Sequence, residues 1–190
     1  MKINKNGFTF IELLFAITLL GFMITMVMTT FIGIFRIYAW SNITTNNQFL
    51  ARQTMDNLNR EIASSTSIVT TGPNTALCYK DYNSNTYKIY VNNRVLKKDS
   101  YNPTTPNCTG TPTLSANFSS PDMPVKSITF TNLTTQINSS YTGNFQQAVV
   151  VKIEVINYLG TVPAVFSGCG TSIYCSVVQY DSASSRRKIN

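Results

Sequence analysis

The sequence predicts an α+β protein, a long N-terminal helix followed by an antiparallel β-sheet. Three observations carry this expectation. Residues 13–35 form an apolar run of 23 residues without a charge. The next twenty or so residues keep a helical apolar stripe, and only later does the pattern become β-rich with alternating side chains. The chain of 190 residues also contains 25 Thr, 20 Asn and 18 Ser, while charged residues make up only 12%, about half the usual share. That mix suits strands and long loops better than a bundle of soluble helices.

The first element is the apolar helix, residues 8–40. At about 1.5 Å per residue, the uncharged run reaches roughly 35 Å, enough to cross a hydrocarbon core of about 30 Å. No proline occurs before Pro73. Arg36, Tyr38 and Trp40 close the run with the cationic and aromatic side chains that settle at a membrane surface. Lys2 and Lys5 flank the other end, so the positive-inside rule places residues 1–7 in the cytoplasm and the bulk of the chain outside it. A cleaved secretory signal does not fit. Its apolar region is about 7–15 residues long and ends in small residues, whereas this run continues into Ile34-Phe35-Arg36-Ile37-Tyr38. Glu12 is the anomaly. A carboxylate at the edge of an apolar helix is costly in lipid, and such a residue is expected to have a function and a partner.

Gly7-Phe8-Thr9-Phe10-Ile11-Glu12-Leu13-Leu14, behind a short basic leader, resembles the cleavage and methylation signature of type IV pilins and pseudopilins. The resemblance implies that a prepilin peptidase cuts after Gly7 and that Phe8 becomes the N-methylated first residue. It implies that Glu12, the fifth residue of the mature chain, acts in assembly. It also implies a pilin-like fold and, as partners, other pilin or pseudopilin subunits and an assembly platform with its ATPase. Physical reasoning agrees. Gly7 lets the scissile backbone lie close against a protease, and cleavage frees an α-amine of pKa near 8. That amine would meet the Glu12 carboxylate of a neighbouring helix, since pairing removes much of the cost of either charge alone in a dry setting. Gly21, Gly33 and Ala16 would allow close helix approach. Where major pilins often carry a proline, this sequence reads Thr29-Thr30, so no proline-induced break is implied there.

Residues 41–63 continue as an amphipathic helix. Ile43, Leu50, Ala51, Thr54, Met55, Leu58 and Ile62 fall within an arc of roughly 140°, with Asp56 and Arg60 opposite and Glu61 intruding on the stripe. Residues 51–62 also resemble the post-membrane helix of PilW- or PulJ-like minor pilins and pseudopilins. The remainder, 64–190, is expected to be a β-rich head of about four to six strands. Tyr87 to Lys97 alternates around a hairpin turn at Asn92-Asn93. Ser127–Thr131, Ala148–Tyr158 and Ile173–Tyr180 read as strands. Asp99 to Pro124, with five prolines in 26 residues, reads as a long loop.

Cys78, Cys108, Cys169 and Cys175 favour two disulfides in a head outside the cytoplasm. Three connectivities are open to four cysteines; Cys78–Cys108 with Cys169–Cys175 is preferred because Gly168 and Gly170 ease a tight loop. A zinc site is disfavoured by the lack of any C-x2-C pair.

The chemistry the sequence excludes is equally informative. There is no histidine, which removes Ser-His-Asp and Cys-His catalysis and every His-ligated metal. Neither a phosphate-binding loop nor a dinucleotide fingerprint is present, and the carboxylates of the head are scattered. The expectation is a non-enzyme without cofactor or metal. The net charge of +7 is concentrated at the ends. Apart from Lys2, Lys5, Arg186, Arg187 and Lys188, the chain holds 10 basic and 8 acidic residues. DNA as a partner therefore has only the basic tail behind it.

The leading expectation is a structural minor pilin or pseudopilin. It would be held first as a single-pass protein of the inner membrane, then in a pilus or pseudopilus at the cell surface or in the periplasm. A fibre-tip module for DNA uptake or adhesion, a type II secretion pseudopilin and an uncleaved single-span anchor are the alternatives.

Overall fold

In the computed structural model, the described residues are 9–101, 108–133, 148–160, 168–169 and 175–185. The first element, α1, spans Phe10–Ser64. By internal contacts the chain divides into a unit of residues 1–42 and a unit of residues 43–190.

Within the first unit, nearly every side chain from Phe10 to Tyr38 is exposed. The helix is unbroken through Thr29-Thr30, whose hydroxyls donate to the Met26 carbonyl at 2.9 Å each. Thr18 and Thr25 do the same towards Phe15 and Phe22. These hydroxyls are satisfied inside their own helix, so they do not need water in an apolar setting.

The second unit is an α+β head. The remaining 22 residues of α1, from Ile43 to Ser64, bury Asn47, Ala51, Thr54, Met55, Leu58 and Ile62. Five of these belong to the apolar stripe, and Asn47 is an addition. Serine hydroxyls close the helix, Ser64 donating to the Glu61 carbonyl and Ser65 to that of Ile62.

Among the described residues eight strands follow in two antiparallel sheets, where a single sheet of about four to six strands is expected from the sequence. The first contains β1 (Ser67–Thr71), β2 (Ala76–Lys80), β3 (Thr86–Asn92), β4 (Val95–Tyr101) and β5 (Leu114–Asn117), in that spatial order. The second contains β6 (Val125–Asn132), β7 (Ala148–Tyr158) and β8 (Cys175–Ser185).

Several boundaries differ from the sequence expectations. The β3–β4 hairpin turns at Asn93-Arg94, one residue later than expected, both with positive φ (50° and 62°). A two-residue turn with both residues left-handed matches the twist of the strands it joins. The stretch 99–124 is not wholly a loop: Asp99–Tyr101 completes β4, and Leu114–Asn117 adds a short edge strand. The last strand is longer than expected, running to Ser185.

The core lies where the inner faces meet. Ala51, Met55, Leu58 and Ile62 of α1 join Ile68, Leu77, Tyr79, Ile89 and Leu96 of the first sheet. Ile128 and Phe130 of β6 join the same cluster, as do Val149, Val151, Ile153 and Val155 of β7. Those four β7 residues alternate with half-buried Val150, Lys152 and Glu154, the period of two that the sequence shows.

The structure joins Cys78 to Cys108 and Cys169 to Cys175. Cys78 points away from the core face of β2, where Leu77 and Tyr79 sit. With Tyr101 and Cys108 it forms a small second cluster on the other side of the first sheet.

Candidate functional site

The site begins where α1 begins. Thr9 is the N-cap: its carbonyl accepts from Glu12 N at 3.1 Å and Leu13 N at 3.2 Å. In return, Thr9 N donates to Glu12 Oε2 at 3.0 Å and Thr9 Oγ1 donates to the same oxygen at 2.9 Å. Glu12 N lies 3.4 Å from Thr9 Oγ1. This reciprocal arrangement is a capping box, which satisfies backbone donors that a helix start otherwise leaves bare. Its signal, Thr-x-x-Glu ahead of an apolar run, is legible in the sequence, and Thr9 is the site residue that the reading of Glu12 alone passes over.

Both contacts fall on Oε2. Among the described residues, Oε1 of Glu12 has no partner, and the side chain is exposed. The carboxylate also sits beside the positive end of the helix dipole, which favours its charge. One oxygen is therefore committed to the helix and the other faces outward, able to accept a cation.

Gly7 and Phe8, the expected cleavage and methylation residues, lie outside the described residues. Arg36, Tyr38 and Trp40 lie on α1 at successive steps of two residues. At 100° per residue, Arg36 and Trp40 share a side and Tyr38 faces the other. Tyr38 is 71% exposed. No group of three or more metal-ligating side chains occurs among the described residues.

Two further polar clusters fix α1 in the head. Asn47 donates from Nδ2 to Asn157 Oδ1 at 2.7 Å and to the Ile156 carbonyl at 3.3 Å. Glu61, the intruder on the apolar stripe, accepts from Tyr79 Oη at 2.7 Å and pairs with Lys98 Nζ at 2.6 Å. The Lys98 ammonium lies 4.2 Å from the centroid of the Tyr87 ring. Burial first, and then the hydrogen bond to Glu61, push the Tyr79 hydroxyl well above the usual phenol range, so it remains a donor.

These features define a class: a chain with an exposed, membrane-length apolar helix, a carboxylate in its first turn, and a β-rich head closed by disulfides. Residues 2–28 match the family model of the prokaryotic N-terminal methylation motif. The protein is type IV pilin-like, carrying the prepilin-type N-terminal motif. That motif marks substrates of prepilin peptidase and belongs to structural rather than catalytic proteins. With the apolar helix it points to membrane anchoring and assembly with other pilin subunits. Neither a curated protein nor a solved structure matches the chain.

Proposed function

We propose that the protein is a non-catalytic minor subunit of a type IV pilus-like fibre, of the PilW- or PulJ-like kind. It enters the inner membrane as a single span with its head outside. Prepilin peptidase removes residues 1–7 after Gly7, and Phe8 becomes the methylated N-terminus. The assembly platform and its ATPase then draw the chain into a helical stack, where Glu12 receives the new α-amine of a neighbouring subunit. Arg36, Tyr38 and Trp40 hold the outer end of the span at the membrane surface until then.

The observation that carries this reading is the half-committed carboxylate of Glu12 on an exposed apolar helix bearing the methylation motif. Thr9 lies beyond the proposed cut, so the capping box survives it and the carboxylate stays oriented while Oε1 takes the incoming amine. The two disulfides support a head that matures in an oxidising compartment.

Mass spectrometry of the mature N-terminus tests the reading. The expected species begins at Phe8 with one added methyl group, and Gly7→Lys should abolish its formation. A native chain that retains residues 1–7 in cells competent to process other prepilins would overturn the proposal.

A further inference from the structure

The outward face of α1 in the head carries three charges that the fold leaves unmatched. Arg52, Asp56 and Arg60 are spaced four residues apart. At 100° per residue they fall within an arc of about 80°, on the side away from the buried Ala51, Thr54, Met55, Leu58 and Ile62. All three are exposed, and among the described residues none of them forms an ion pair. Glu61, the other carboxylate of this stretch, turns to Tyr79 and Lys98 on the sheet side. Arg52 lies within electrostatic reach of the Tyr180 phenol, which burial keeps neutral. Phe49, 65% exposed, stands on the same face.

The order of the charges, positive, negative, positive, makes this face complementary to itself. Two copies leaving one membrane run parallel. With no shift between them each charge meets its like, which is repulsive. A shift of four residues, about 6 Å along the helix, sets Arg52 of one copy level with the partner's Asp56, and Asp56 level with the partner's Arg60. A shift of eight sets Arg52 against the partner's Arg60, again like against like. Each copy would present different residues to the neighbour on either side, a heterologous contact that repeats without closing and so suits a fibre.

The start of α1 is compatible with that shift. Phe8 stands four residues before Glu12, so an α-amine that reaches a neighbour's carboxylate tolerates a displacement of up to four residues. Glu12 itself leans back towards Thr9, so this contact alone leaves the stagger loose. The charges on the head face select one value within that range.

On the assembly reading above, we propose that the partner on this face is a second copy of the chain, shifted by four residues. Arg52 of one copy pairs with Asp56 of the next, and Asp56 with Arg60. Charge pairs within one exposed helix are weak, so these side chains remain available to a neighbour. Between packed helices, where water is partly removed, they discriminate against wrong partners and wrong registers. The self-complementary order favours a copy of this chain, because a different subunit has no reason to carry the same three charges at the same spacing.

The test measures the share of full-length subunit in sheared fibres against the share in the membrane. Asp56→Arg makes both pairs repulsive and should lower the fibre share about tenfold or more. Arg52→Glu/Asp56→Arg/Arg60→Glu inverts all three charges, restores both pairs between identical copies, and should recover the wild-type share to within about twofold. Thermal melts of both variants in neutral-detergent micelles should match the wild type, since these charges have no ion-pair partner in the free head. The proposal is overturned if Asp56→Arg enters fibres at the wild-type level. It is overturned equally if the triple inversion stays as low as Asp56→Arg, because the partner is then a different subunit whose charges were not inverted. Mature chains beginning at Phe8 with an unaffected Asp56→Arg refute the charge pairing and leave the assembly reading standing. A wild-type chain that keeps residues 1–7 or is absent from fibres refutes the assembly reading, and this proposal with it.

Discussion

Replacing Glu12 with Gln keeps the shape of the capping box and removes the charge, which separates the two roles of this side chain. A Gln at the third helical position can still accept from Thr9 N, so α1 should start where it does now. An α-amine arriving from a neighbour would find an amide instead of a carboxylate. Removing one partner of a desolvated ion pair leaves the other charge uncompensated, at a cost of about 3 kcal/mol or more. At about 1.4 kcal/mol per factor of ten, that is a loss of on the order of a hundredfold in incorporation. Thr9→Ala has the opposite profile. It removes the cap hydroxyl that donates to Oε2 at 2.9 Å, costs about 1 kcal/mol, and leaves the charge in place, so its effect should stay within roughly fivefold. The assay is the ratio of subunit in sheared fibres to subunit in the membrane, with the N-terminal mass read on both fractions so that a processing defect is not counted as an assembly defect. If Glu12→Gln enters fibres at the wild-type level while Glu12→Ala does not, the cap matters and the ion pair does not, and the assembly reasoning fails.

Other consequences are local to the head. The Cys78–Cys108 bridge closes a loop of 30 residues and Cys169–Cys175 one of 6. On loop entropy, their loss should cost about 3.6 and about 2.2 kcal/mol respectively, so thermal melts of the paired Cys→Ser variants should rank in that order. Glu61→Ala strips a partner from buried Tyr79 and from Lys98 and should destabilise by about 2 kcal/mol, whereas Phe49→Ala, 65% exposed on the same helix, should leave a denaturant melt unchanged. Leu58→Ala, fully buried in the core, should cost about 3 kcal/mol in the same experiment. The Lys126 contact, then the Ser127 hydroxyl, hold the Glu154 carboxyl below the usual range against the opposing effect of burial. A carboxyl with a depressed folded pKa contributes stability above its unfolded value of about 4.3, and this is lost as pH falls through the lower folded value. Glu154→Gln should therefore flatten the acid limb of stability against pH below about 4.3; an unchanged limb would exclude the contact.

The helix was legible because its signals are long and periodic. A 23-residue uncharged run and a stripe at 3.6-residue spacing do not depend on distant partners. The head was legible only in class. β1 and β2 are five residues each, and β1 reads Ser-Ile-Val-Thr-Thr, with one fully buried residue. So short a strand is defined by its neighbour's register rather than by its own pattern. β5 has four exposed residues between proline-rich stretches, and it is a strand only because β4 offers its edge. The division into two sheets has no local signature at all, because strands that close a shared core are chosen by packing.

Asn47, Glu61 and Glu12 are polar side chains set in the apolar pattern of α1, and their partners tell them apart. Asn47 lies buried within the stripe, and Asn157 and the Ile156 carbonyl answer it. Glu61 intrudes on the last turn, and Tyr79 and Lys98 occupy both of its oxygens. Both of these side chains are thus answered from within the head. Glu12 breaks this pattern. Its Oε2 is answered by Thr9, but among the described residues its Oε1 is not. In water that would mean little, since solvent supplies the second partner. In an apolar setting, where the surrounding side chains from Phe10 to Tyr38 belong, an ionised oxygen without a partner is expensive. The deficit therefore appears only when the helix leaves water for lipid or for a bundle of other helices, and a cation from outside the chain removes it. Under the proposed assembly reading, the carboxylate that starts the helix thus makes burial of the helix conditional on a neighbour.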